Sequence, residues 1–122
     1  MDLNTTYEAI RISSGNSFVH ETESQVILNG SRDINFTMDL VIKDVSLLQA
    51  IVELEGVPLE ISPLLIDIFK DGEKRYGSRE WSPNIVRRLE ESCEAVVLAS
   101  GFPTEIVDDE PEQSGEEVLV RR

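Results

Sequence analysis

The chain has 122 residues, 40% of them apolar, enough for one core and too few for two. Its 24 acids against 11 bases give a net charge of −13 and a surface that repels DNA, RNA and anionic lipid, which excludes direct nucleic-acid binding. A single cysteine excludes an intrachain disulfide and a cysteine-based metal cage. No apolar run of membrane-spanning length occurs, and Met1-Asp2-Leu3-Asn4 lacks the basic and apolar regions of a secretory leader, so a reducing cytoplasm is the expected location.

Tyr7-Glu8-Ala9-Ile10-Arg11-Ile12 reads as a first strand, closed by Ser13-Ser14-Gly15-Asn16. Gln25-Val26-Ile27-Leu28 reads as a second, and Asn29-Gly30 is the dipeptide that tolerates positive φ in a hairpin turn. Ile34, Phe36, Met38, Leu40 and Ile42 then alternate at the period of a half-buried strand. The first third is therefore expected to be an antiparallel meander of three or four strands with one apolar face.

From Asp44 onward the period changes to that of a helix, with Val45, Leu48, Ile51 and Val52 in phase and Gly56 as its stop. Ser62-Pro63 signals a second helix with Leu64, Leu65, Ile68 and Phe69 on one stripe, ended by Asp71-Gly72. Ser82-Pro83 repeats the signal for a third, whose stripe of Ile85, Val86, Leu89, Cys93, Val96 and Val97 runs towards Gly101. Strands first and helices second is the order of an α+β domain, here residues 1–101, with the helices covering the sheet. Residues 102–122 form an acidic tail expected to be flexible, with Val118-Leu119-Val120 as a short apolar end able to add to a sheet edge of its own domain, a sister subunit or a partner.

No reactive constellation emerges. His20 is the only histidine, and Cys93 on an apolar stripe reads as a small buried hydrophobe, so nothing suggests a nucleophilic site. Glu21/Glu23, Glu53/Glu55 and Glu90/Glu91/Glu94 are paired carboxylates of the kind that general acid–base or hard-metal chemistry uses, yet the last three lie off the apolar stripe and read as a solvated face. The glycines form no phosphate-cradling pattern. Neither a cofactor nor a metal is expected.

The richest stretch runs from Lys70 to Pro83 and holds Arg75, Tyr76, Arg79 and Trp81, with Arg87 and Arg88 just beyond. Arg, Tyr and Trp concentrate at protein hot spots, and bases interleaved with aromatics also occur in nucleic-acid readers, a reading that the interspersed acids weaken. The plain alternative is a connecting loop in which Trp81 anchors the helix that follows. Together with Val118, Leu119 and Val120 these are the candidate partner-binding residues.

The composition thus points to a non-catalytic protein–protein interaction module, an adaptor, assembly factor or structural subunit, whose partner is a protein, a basic one included. Self-association through a sheet edge or the tail is a further expectation. Two other readings fit the same residues: an immunity-type or phage-borne inhibitor that mimics nucleic-acid charge against a basic protein, and a small carboxylate-dependent enzyme or ligand-binding domain.

Overall fold

A computed structural model describes residues 1–107. It contains helices α1 (Leu3–Arg11), α2 (Phe18–Asn29), α3 (Met38–Leu54), α4 (Ile61–Tyr76) and α5 (Arg87–Cys93), with a 3-10 turn at Ser82–Val86 leading into α5. The described residues contain no sheet; a lone antiparallel bridge joins Thr37 to Trp81. The α+β expectation is thus overturned, and each expected strand has a helical reason.

At α1 the Asp2 carboxylate caps the first turn, accepting from the Thr5 backbone N–H and hydroxyl at 2.7 Å each. Leu3, Tyr7 and Ile10 then share a helical face, with Tyr7 buried. In α2 the Ser17 hydroxyl accepts from the His20 N–H at 3.0 Å. Asn29-Gly30 is a helix stop rather than a hairpin: Gly30 adopts φ 92° and donates to the Val26 and Ile27 carbonyls. The alternation through residues 34–42 crosses a helix start. Ile34 and Phe36 precede Met38, where a helical row of Met38, Ile42, Val45, Gln49 and Val52 begins and runs through α3.

The later signals hold better. Gly56, at φ 68°, follows the end of α3, and α4 starts one residue before Ser62. Gly72 does not end α4, however. It lies buried inside the helix, where an added Cβ would stand 2.5 Å from Ile85 Cδ1 and 3.1 Å from the Met38 sulfur. The glycine is there to let the 3-10 turn and Met38 approach. The third expected helix is cut to α5, which closes at Glu94 with φ 50°, and Cys93 is exposed rather than buried.

The core is small. Among the described residues Tyr7, Val26, Leu28 and Met38 are the buried apolar ones, and α3 packs chiefly along α4. After α5 the chain returns across α1 and α2. The Ala99 N–H donates to the Leu28 carbonyl, and the Phe102 ring meets Tyr7 edge-on at 5.1 Å.

Candidate functional site

Two clusters come out of the stretch around Lys70–Pro83. The first joins α4 to α5. Arg88 Nε lies 2.6 Å from Asp71 Oδ2, and Arg75 Nε lies 2.8 Å from the same oxygen while its Nη1 reaches Glu91 at 3.4 Å. The Arg88 and Arg75 guanidinium groups hold the Asp71 carboxyl below its ordinary range. Arg87 sits over the Tyr76 ring, its guanidinium carbon 4.2 Å from the centroid. Burial pushes the Tyr76 hydroxyl pKa up, and that oxygen has no hydrogen-bond partner among the described residues.

The second cluster closes the start of α3. The N–H groups of Met38 and Asp39 donate to the carbonyls of Glu80 and Ser78, at 3.0 and 3.1 Å, and Ser82 N–H donates to Phe36 O at 2.8 Å. Residues 77–82 thus satisfy donors that a helix start leaves open. Arg79 Nη1 reaches Asp39 Oδ2 at 2.9 Å; the Thr37 hydroxyl and then Arg79 hold the Asp39 carboxyl low. Trp81 provides the bridge to Thr37. Of the expected residues, Arg75, Tyr76, Arg87 and Arg88 gather in one place, while Arg79 and Trp81 belong to another. Val118, Leu119 and Val120 lie outside the described residues, and the sheet edge expected to receive them is absent among the described residues.

Arg32 and Glu90 form a third centre that the sequence reading passed over. Arg32 Nη2 contacts both Glu90 oxygens, at 3.0 and 2.8 Å, Nη1 reaches Asn84 Oδ1 at 3.2 Å, and Glu90 Oε1 also accepts from Val97 N–H at 2.8 Å. Each side chain of the pair is only 11% exposed, so Glu90 is no solvated residue. Burial works against its charge, but the Val97 N–H and Arg32 outweigh it and keep its pKa below the ordinary value. Arg32 occupies the left-handed region, φ 55°, which a residue with a side chain adopts at some cost.

His20 stacks on Tyr7 with centroids 4.8 Å apart. Its Nε2 donates to the Tyr7 carbonyl at 3.0 Å and its Nδ1 accepts from the Ser24 hydroxyl at 3.2 Å, so both ring nitrogens are engaged within the fold. Beside it lies a mostly apolar cleft of about 190 Å³ that includes Leu3, Ile10, Ile27 and Val97. Among the described residues no three His, Cys, Asp or Glu side chains are placed to hold a metal, and no helix is long and apolar enough to cross a membrane.

A further groove lies beside the turn of the α3–α4 hairpin. It measures about 450 Å³ and is walled by Val45 and Leu48 from α3 and by Ile61 and Leu65 from α4, with Pro58 and Leu59 at the turn. At its base the Ser62 hydroxyl donates to the Gln49 amide oxygen.

The sequence pattern of one protein family, described as NAD-binding of NADP-dependent 3-hydroxyisobutyrate dehydrogenase, matches residues 1–89. The chain belongs to this family. The matched span covers α1 to α4, the 77–82 strap, the 3-10 turn and the first residues of α5, so it takes in the second cluster whole and ends just before Glu90. No curated protein and no solved structure matches the chain.

Proposed function

We propose that the chain serves a dinucleotide-dependent dehydrogenase as a helical, non-catalytic unit that works by contact with a dinucleotide-binding protein unit. The family match over residues 1–89 carries this reading. The described residues do not fit a self-contained cofactor site. A dinucleotide's pyrophosphate is held by free backbone N–H groups at a helix start, reached through a glycine-rich turn after a parallel strand. Here every helix start already has an acid: Asp2 caps α1, Glu21, Asp39 and Glu90 stand in the first turns of α2, α3 and α5, and Glu60 precedes α4. A phosphate would meet like charge at each.

Among the described residues most cations are engaged as well, Lys70 and Lys74 excepted. Arg11, Arg32, Lys43, Arg75, Arg79 and Arg88 all pair with carboxylates, and Arg87 lies on Tyr76. No step of a hydride transfer is therefore assigned to these residues. What remains to the chain is surface, and its apolar faces suit protein contact better than a charged cofactor.

The test is affinity capture with the full chain from cells that express it, followed by assay of the captured material with NADP⁺ and 3-hydroxyisobutyrate. Co-purification of substrate-dependent NADPH formation, absent from a mock capture, is the expected result. Captured material without NADP-dependent hydroxyacid oxidation overturns the reading.

A further inference from the structure

The cleft between α1 and α2 is apolar, open and flanked by acids that no cation answers. Leu3, Tyr7 and Ile10 from α1, His20 and Ile27 from α2, and Val97 wall it. Its volume of about 190 Å³ suits one aliphatic side chain, since an apolar cavity of about 150 Å³ takes a benzene ring. The polar groups around it are already bonded within the fold. The Thr6 hydroxyl donates to the Asp2 carbonyl, the Tyr7 hydroxyl to the Glu21 carbonyl, and His20 engages both ring nitrogens. A polar ligand therefore finds no open partner there, and an apolar one does. From Leu3 to Asn29 the charged residues are Glu8, Glu21 and Glu23 against Arg11, and Arg11 pairs with Glu8. Among the described residues no cation forms an ion pair with Glu21 or Glu23. Glu23 lies three residues from His20 and four from Ile27, beside the cleft wall, and burial raises its pKa.

We propose that Val118-Leu119-Val120 of the same chain docks on this cleft, with Leu119 inside it and Arg121 and Arg122 set against Glu21 and Glu23. The proposal is independent of the dehydrogenase reading, and the segment lies beyond the matched span of residues 1–89. Three observations select this occupant. Within residues 108–122 it is the one aliphatic run, and the two bases directly after it are the only ones there, so it alone matches an apolar cleft with two unanswered acids. The chain also passes the cleft on its way out. The Phe102 ring rests on Tyr7, which is itself a cleft wall, and Asn29 Nδ2 holds the Phe102 carbonyl at 2.9 Å. From Phe102 to Val107 the chain spans at most about 18 Å, and from Asp108 to Glu117 at most about 35 Å, so Val118 can return to Tyr7. Lastly, a tether of this length sets a millimolar effective concentration, at which a contact as small as one inserted side chain with two ion pairs is populated. The groove beside the α3–α4 turn lacks this match, since Glu60 is its one charged residue.

The test is nuclear magnetic resonance on the full, isotope-labelled chain. Nuclear Overhauser contacts are expected from the Leu119 methyl groups to the Tyr7 or His20 ring and to the Ile10 or Ile27 methyl groups. Leu119→Asp should abolish them and move the Ile10 and Ile27 methyl signals, while those of Val45 and Leu65 stay in place. This variant lies outside the helices, so the fold it reports on is left intact. Arg121→Glu with Arg122→Glu should lower the docked fraction at least threefold, and added salt should lower it in the natural chain but not in this variant. Absence of every such contact overturns the proposal, as do contacts from Leu119 to Val45, Leu48 or Leu65 in their place. Contacts seen only between labelled and unlabelled copies overturn it too, because the occupant is then another molecule. A docked fraction indifferent both to the double charge reversal and to salt removes the acids from the contact and equally overturns it.

Discussion

Glu90 shows how a residue's role depends on a neighbour far away in the chain. Its place off the apolar stripe of α5 reads as a solvated face, which is wrong for this residue, because Arg32, which makes it structural, lies 58 positions away in a loop. No local pattern connects the two. Because the folded state holds the Glu90 pKa below 4.5, its contribution is complete above that value and is lost as pH falls through the lower folded value. Glu90→Gln is expected to cost about 2 kcal/mol at neutral pH, the scale of a charge-assisted bond lost at a nearly dry position. Urea melts at several pH values should show the gap between the two proteins closing as pH drops below 4.5. A gap that stays constant into acid would remove the ion pair from the account.

Among the elements, the second half of the fold was more legible than the first. The Gly56 stop and the Ser62-Pro63 start lie at or beside observed boundaries of α3 and α4, while the helical spacing after Asp44 falls inside α3, which begins earlier, at Met38. The expected strands failed because short segments carry both periods. Tyr7 to Ile12 contains an alternating set and also the Leu3–Tyr7–Ile10 row that Asp2 caps, and the cap decides. Asn29-Gly30 suits either a hairpin or a helix end, since both need positive φ. Gly72 misled in the other direction, because a packing glycine and a stopping glycine look alike in one sequence. The expected cluster was half legible: the richness of Lys70–Pro83 was visible, whereas its division between an α4–α5 ion-pair cluster and a strap over α3 depends on tertiary contact.

Gly72 also provides a test at this scale. Alanine would gain about 1 kcal/mol of helix propensity but must displace Ile85 Cδ1 and press on fully buried Met38, overpacking that costs about 1–3 kcal/mol. Gly72→Ala is therefore expected to lower the free energy of chemical unfolding by a net of about 1 kcal/mol, read as a lower midpoint. A stabilised variant would mean that the approach of α4 to the 3-10 turn is looser than described.

For the molecule as a whole, the sequence announced its charge and hid its fold. Among the described residues part of the acidity is used locally: Asp2, Glu21, Asp39, Glu60 and Glu90 stand at or beside helix starts, and Asp39, Asp71 and Glu90 pair with arginines. The proposed function assigns the chain no cofactor site of its own. The most direct measurement of that claim is a calorimetric titration of the full chain with NADPH and NADP⁺. The account predicts no saturable heat at micromolar to millimolar ligand, because each α-helix start among the described residues carries an acid at or beside its first turn. A one-to-one isotherm with a micromolar dissociation constant would contradict it.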